Sequence, residues 1–359
     1  MKNRGKCIVK KERLFYLDFV RAVAAISIIM THFNARYLYL SPPAPEKAII
    51  TTTVSNIYIG NWGVSLFFII SGAALMYVYE ERCDWKRFYQ KRFFSIYPMF
   101  WLAYSFAFLY LFYVNKAVPA AGETPKMNII FSILGFDGLL VENFPMFYIL
   151  GEWFLGVIIL MYLLFPLLRK LILQYPAAAG IGIMLIYVWM VFFYDYNFST
   201  EKIIFTRLPE ICFGMYFVRL RKKVDAKLAA GAFVILILNA VFKPSWYPNL
   251  QTTYVGIASF LVLVYLSYHF NNLIINKICS IISKYSYAIF LVHHVIIARM
   301  TASFDLANIP VLYSYILFIA VCVVIAVFSW LLYNFHARVM ASVFQVYEEI
   351  RAGKADKTV

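Results

Sequence analysis

Ten apolar runs divide this chain, at about 16–36, 60–79, 93–114, 147–168, 177–194, 203–218, 228–242, 253–270, 279–298 and 311–334. A membrane-crossing helix takes roughly 17–25 mostly apolar residues, so runs of this length in this number leave one fold class. The expectation is an all-α polytopic transmembrane helix bundle of about ten spans. Composition supports it: 63% of the residues are hydrophobic and 14% charged, against roughly 45–50% and 25% in soluble domains.

The 33 basic residues sort by side. With the N-terminus cytoplasmic, most fall in cytoplasmic segments: residues 1–15, the turn holding Arg82, Lys86, Arg87, Lys91 and Arg92, the turn 219–227, and the tail. This asymmetry fits the positive-inside rule and places both termini in the cytoplasm. It also accounts for the net charge of +15 without a nucleic-acid partner. The layout reads as a basic N-terminus (1–15), a membrane domain (16–334) and a C-terminal tail (335–359), in a multi-pass protein of the cell membrane. The basic start followed by an apolar run imitates a signal peptide, but the run holds Asp18 and Arg21, so a retained first span is expected. The five cysteines lie on the cytoplasmic side or in spans, with no disulfide or metal-ligand spacing. Segment 127–141 reads as a short interfacial or re-entrant piece. No loop is long enough for a soluble catalytic domain, so any chemistry belongs to side chains on the helices.

Three of the five histidines, His32, His293 and His294, stand inside apolar runs. Ionisable groups there are costly and usually face a wet or paired interior. Arg21 and His32 are eleven residues apart and, at about 100° per residue, share one helix face. Asp18 lies one turn before Arg21, within pairing reach. Span four carries Glu152 beside Trp153; span six carries Arg207, Pro209 and Glu210. By residue count His32, Glu152, Arg207 and His293 lie at one depth, which predicts a shared cavity. His293 and His294 point about 100° apart, so one is expected to serve the site and the other to pack between helices. The basic turn ending at Arg92 reads as an inside-positive anchor or as a landing site for a phosphorylated donor.

In order along the chain, five blocks resemble a known pattern: Leu17-Asp18-Phe19-Val20-Arg21 with His32-Phe33; Gly63-Val64-Ser65-Leu66-Phe67-Phe68 through Ser71-Gly72; Arg92-Phe93-Phe94-Ser95-Ile96-Tyr97-Pro98; Trp153-Phe154-Leu155 through Phe165-Pro166; and Ser286-Tyr287 through His293. Together they resemble integral-membrane acyltransferase family 3, which includes O-acetyltransferases of cell-envelope polysaccharides. The resemblance implies that Arg21 and His32 are the essential pair and that Arg92 serves the donor or the inner gate. Where the family often has a second arginine this chain has Ser95, and where many members have a glutamate it has Ile158.

The expected reaction is O-acyl transfer, in the first instance acetyl, from a cytoplasmic acyl-CoA to a hydroxyl of an envelope glycan or lipid-linked sugar. The donor acetyl-CoA or another acyl-CoA is a substrate; no bound cofactor and no metal is expected. The catalytic set is His32 as general base, Arg21 on a phosphate or carbonyl of the donor, Asp18 fixing Arg21, and His293 orienting the acceptor or stabilising charge. Arg92, Glu152, Trp153, Arg207 and Glu210 are the expected substrate-binding residues. The competing reading is a transporter or flippase for a lipid-linked sugar, since mid-membrane polar residues and a proline-bearing span also suit transport.

Overall fold

The computed structural model describes residues 12–119, 123–151, 153–195, 197–220 and 223–355, with side chains as far as residue 350. Glu152 and the basic residues at 2–11, 221, 222 and 357 lie outside the described residues. Twelve α-helices occur among those described: α1 (Phe15–Leu38), α2 (Ile59–Tyr79), α3 (Trp85–Asn115), α4 (Ile129–Leu134), α5 (Asp137–Leu140), α6 (Trp153–Gln174), α7 (Pro176–Phe193), α8 (Ile204–Leu220), α9 (Ala226–Phe242), α10 (Pro248–His269), α11 (Leu273–Thr301) and α12 (Val311–Ala355). The fold is an all-α membrane bundle. Its β-structure among these residues is one two-residue hairpin, β1 (Thr53–Val54) against β2 (Ile57–Tyr58).

Ten of the helices occupy the ten apolar runs. Eight are long and apolar enough to cross a membrane, while α8 and α9, at 17 residues each, sit at the lower limit. Several starts follow from local chemistry. Asp84, Asp225 and Asn272 each accept a hydrogen bond from the backbone N–H three residues on. Pro176 and Pro248 open α7 and α10, where a missing N–H costs nothing.

The fourth span departs from expectation. Residues 147–151 do not join it. Gly151 takes φ +78°, a left-handed conformation that stops a helix from continuing through it, and α6 begins only at Trp153. Residues 142–151 thus form a strap. The last helix also departs, running to Ala355 through the expected tail. Segment 126–141 is two short helices, α4 and α5, rather than a span.

The central helix is α2, buried along most of one flank against α1, α8 and α10. Its crossing with α8 is backbone on backbone: a Cβ on Gly72 would fall 1.9 Å from the Ile211 carbonyl oxygen, and one on Gly214 1.9 Å from that of Ile69. In lipid, helices gain little from hydrophobic association and rely on such close approach through small residues. Helices α7, α9 and α12 turn exposed apolar faces outward, among them Ile181, Leu185, Phe233, Ile237, Val323 and Trp330.

Helices α1 and α11 run parallel, clasped at both ends. At the end where α1 begins, called here the near end, Ser283 Oγ donates to Asp18 Oδ1 at 2.6 Å. At the far end, Arg36 Nε donates to Thr301 Oγ1 at 3.1 Å.

Candidate active site

A cavity of about 850 Å³ lies between these two helices and α2, α3, α6 and the strap. Arg21, Ala25, Ile28, His32 and Arg36 of α1 and Tyr39 at its C-cap line it, so it extends for roughly 27 Å at 1.5 Å per residue. This approaches the ~30 Å of a hydrocarbon core.

At the near end stands Arg21, whose Nη1 donates to Ser283 Oγ at 3.0 Å. The expected direct Asp18–Arg21 pair is not formed. Asp18 is ion-paired with Arg13 through Oδ2 and takes the Ser283 hydroxyl through Oδ1. Ser283 therefore stands between the two, accepting from arginine and donating to aspartate. The physical reason is reach: Arg13, five residues before Asp18, occupies the carboxylate, and Arg21 turns inward to α11. A guanidinium has five N–H donors; Ser283 takes one, and the Arg21 side chain lines the cavity. Ser71, Ser95, Ile158, Tyr162 and Ser286 complete this end. Ser95 and Ile158, the two positions that differ from the common family pattern, both line it.

His32 lies roughly 16 Å further along α1 and meets two imidazoles. Its ring centroid is 4.9 Å from that of His293 and 4.2 Å from that of His294. All three rings line the cavity, although helical phase predicts that the adjacent pair cannot both point into one narrow site. Helix α1 passes over the seam between them, so side chains about 100° apart both reach His32. Nδ1 of His293 lies 2.7 Å from the Phe290 carbonyl oxygen and 3.2 Å from that of Ile289. Gly151 presses on the edge of His294: a Cβ there would fall 2.7 Å from Cδ2 and 3.1 Å from Nε2. Among the described residues no group of three or more His, Cys, Asp or Glu is arranged to hold a metal ion.

The far mouth is polar but balanced. Glu142 of the strap pairs with Lys202 at 2.7 Å, and Asn61 donates to Glu201 at 2.8 Å. Trp153 also lines the cavity.

Three expected substrate contacts lie off the lining. Arg207 and Glu210 pair with each other at 3.3 Å, buried to 1% and 0% exposure, and Arg207 Nε donates to the Glu201 carbonyl. Arg207 also sits over the Phe68 ring. The common depth read from residue counts is thus not a common cavity; Arg207 turns toward α2. Arg92 lies against the rings of Phe88 and Tyr162, at 5.8 and 5.6 Å, behind the near-end wall. Ser283 is the residue at this end that motif reading does not reach. Ser283 carries no signal beyond its place ten residues before His293. Helical phase leaves open which of His293 and His294 faces the site; both do.

Another buried acid lies outside the spans. Asp137, fully buried in α5, accepts from the Gly138 N–H at 3.0 Å, and burial raises its carboxyl to about pH 6.

Against families of known proteins, the model of the acyltransferase domain, acyltransferase family 3, matches residues 14–334. No curated protein and no solved structure matches the chain.

Proposed function

The chain belongs to acyltransferase family 3, and from that premise we propose that it moves an acyl group, in the first instance acetyl, from a cytoplasmic acyl-CoA to a hydroxyl of an envelope polysaccharide or lipid-linked sugar at the cell membrane. The observation that carries the reading is one cavity with Arg21 at its near end and three imidazoles toward its far end. The two ends differ in charge. Arg21 is the charged side chain lining the near end, whereas the far mouth sets Arg36 and Lys202 against Glu142 and Glu201. An anionic donor suits the near end, and an uncharged polyol suits the far end.

His32 is the general base, since a neutral imidazole offers a bare ring nitrogen to a hydroxyl proton. It takes the proton of the acceptor hydroxyl as that oxygen attacks the thioester carbonyl. The tetrahedral intermediate then collapses, the carbon–sulfur bond breaks, and the proton on His32 passes to the departing thiolate. Arg21 lies too far along α1 to touch the carbonyl at which His32 works. Its role is to grip a phosphate of the donor, for which a guanidinium is well shaped. Asp18 acts on Arg21 through Ser283. Trp153 and His294 bound the acceptor side. Arg92 remains a donor contact in this reading only if Tyr162 moves aside, and Arg207 with Glu210 holds α8 to α2.

The length of the cavity also favours a second reading, passage of a lipid-linked sugar. The two are separated by reconstituting the protein in liposomes with acetyl-CoA and crude envelope glycan. Glycan-dependent release of free thiol, lost in His32→Ala, supports the transferase; sugar movement without thioester turnover supports the flippase.

A further inference from the structure

Resting on the acyltransferase reading, we propose that His293 is a positioning residue that sets the tautomer of His32. Nδ1 of His293 faces two backbone carbonyl oxygens, of Phe290 and Ile289. A carbonyl only accepts, so Nδ1 carries the hydrogen, and in the neutral ring Nε2 carries the lone pair. That Nε2 is sealed from the surface and has no hydrogen-bond partner, in a residue 1% exposed. Buried polar atoms are nearly always satisfied, so an orphan acceptor at a fixed place calls for a donor.

The rings around it identify the donor. Phe290, with its centroid at 6.0 Å, has none to give. His32 is the nearer of the two imidazoles, at 4.9 Å against 5.5 Å for His294. His294 makes no hydrogen bond among the described residues, so among them no contact sets which of its nitrogens is protonated. His293 imposes a direction on His32. A small turn of the His32 ring places one of its N–H groups on Nε2 of His293. The other His32 nitrogen is then bare and faces the cavity, which is the form that removes a proton from the acceptor hydroxyl. The order is backbone carbonyl, His293, His32, acceptor, each link oriented by the one before. A base whose partner orients it is a general arrangement in catalysis; here the orienting group is a second imidazole tied to its own helix.

The test separates the two nitrogens of His293 in the full-length protein reconstituted in liposomes. Gln at 293 brings an amide oxygen to the place of Nε2; Asn reaches only the place of Nδ1; Phe keeps the volume and neither polar atom. The expected result is that His293→Gln, which keeps an acceptor at the place of Nε2, recovers most of the turnover that the other two variants lose. His293→Asn and His293→Phe lose about tenfold or more in kcat, with the roughly 10²–10⁴-fold of a whole general-base contribution as the ceiling, and the donor KM is unchanged. An active Asn variant beside an inactive Gln variant would overturn the proposal, because the backbone bond alone would then matter. So would three variants equal to wild type. A second measurement needs no turnover: ¹⁵N chemical shifts of labelled histidine, with the His32 signal assigned by its loss in His32→Gln. One His32 tautomer in the wild type and a mixture in His293→Phe are expected; a single tautomer in both overturns the proposal. A wild type that never consumes thioester would sink the acyltransferase reading, while the tautomer measurement still decides this one.

Discussion

The imidazoles of His32 and His294 stand 4.2 Å apart, centroid to centroid, at 58°, although His294 points well away from His293 on its own helix. Two rings from neighbouring positions reach one partner because that partner lies over the line between them. The site is therefore a pocket walled on one side by imidazole and open on the other, with His32 at its focus.

Replacing that focus should abolish turnover and leave the fold intact. His32→Gln is expected to lower kcat by about 10²–10⁴-fold, with unchanged expression and melting temperature. Thiol release from acetyl-CoA in liposomes is the measurement.

Ser283 joins Asp18 to Arg21. Ser283→Ala leaves both groups without their shared hydroxyl, at a cost of about 1–3 kcal/mol for unmet buried groups. The expected kinetic signature is a raised donor KM with a smaller change in kcat, and Ser283→Thr should restore most of it. A KM unmoved by Ser283→Ala would mean that Arg21 does not hold the donor.

Gly151→Ala tests the strap. It places a side chain at φ +78° and 2.7 Å from the His294 ring. The backbone strain alone is worth about 1–3 kcal/mol. Turnover should fall while the oligomeric state and helix content, read by size exclusion and circular dichroism, stay as in the wild type.

The Arg207–Glu210 pair predicts the opposite pattern. Breaking it with Arg207→Leu should destabilise by about 3–5 kcal/mol, because a buried carboxylate loses its partner. Arg207→Leu together with Glu210→Leu should recover much of that loss. Melting temperature reads this, and kcat per folded molecule should hardly change.

Asp137 gives a pH dependence of stability. Its carboxyl titrates at about pH 6 in the folded chain against roughly 3.9 unfolded. The folded state therefore binds the extra proton between these values, and stability falls as pH rises through that window. The contribution is fully present below about pH 4 and gone above about pH 6. Asp137→Asn should remove the slope and be the more stable protein at pH 7, as followed by thermal melts across pH 4–8.

The span pattern was legible because lipid enforces it: ten apolar runs became ten helices. The start of α6 was not, because Gly151 halts a helix by a backbone angle that no hydropathy window registers. Along α1, Arg21 and His32 could be placed on one face from their spacing alone. Across helices that method fails. Arg207 shares a depth with His32 but turns to Glu210, and Asp18 turns to Arg13, since depth says nothing about azimuth toward a neighbour. The triple contact at His32 depends on where α1 crosses α11, which neither sequence contains by itself.

The two clasps between α1 and α11 have a consequence for the length of the chain between them. Asp18 to Arg36 and Ser283 to Thr301 span the same eighteen residues, five whole turns at 3.6 residues per turn. Both clasps thus fall on one meridian of each helix, and the two rods are locked in phase as well as in height. An added or deleted residue anywhere between them, however apolar, would turn one rod against the other by a quarter-turn or more and unfasten an end. Evolution is free to repaint this stretch but not to recount it, and whatever widens the chamber for its cargo has to swing on the opposite wall.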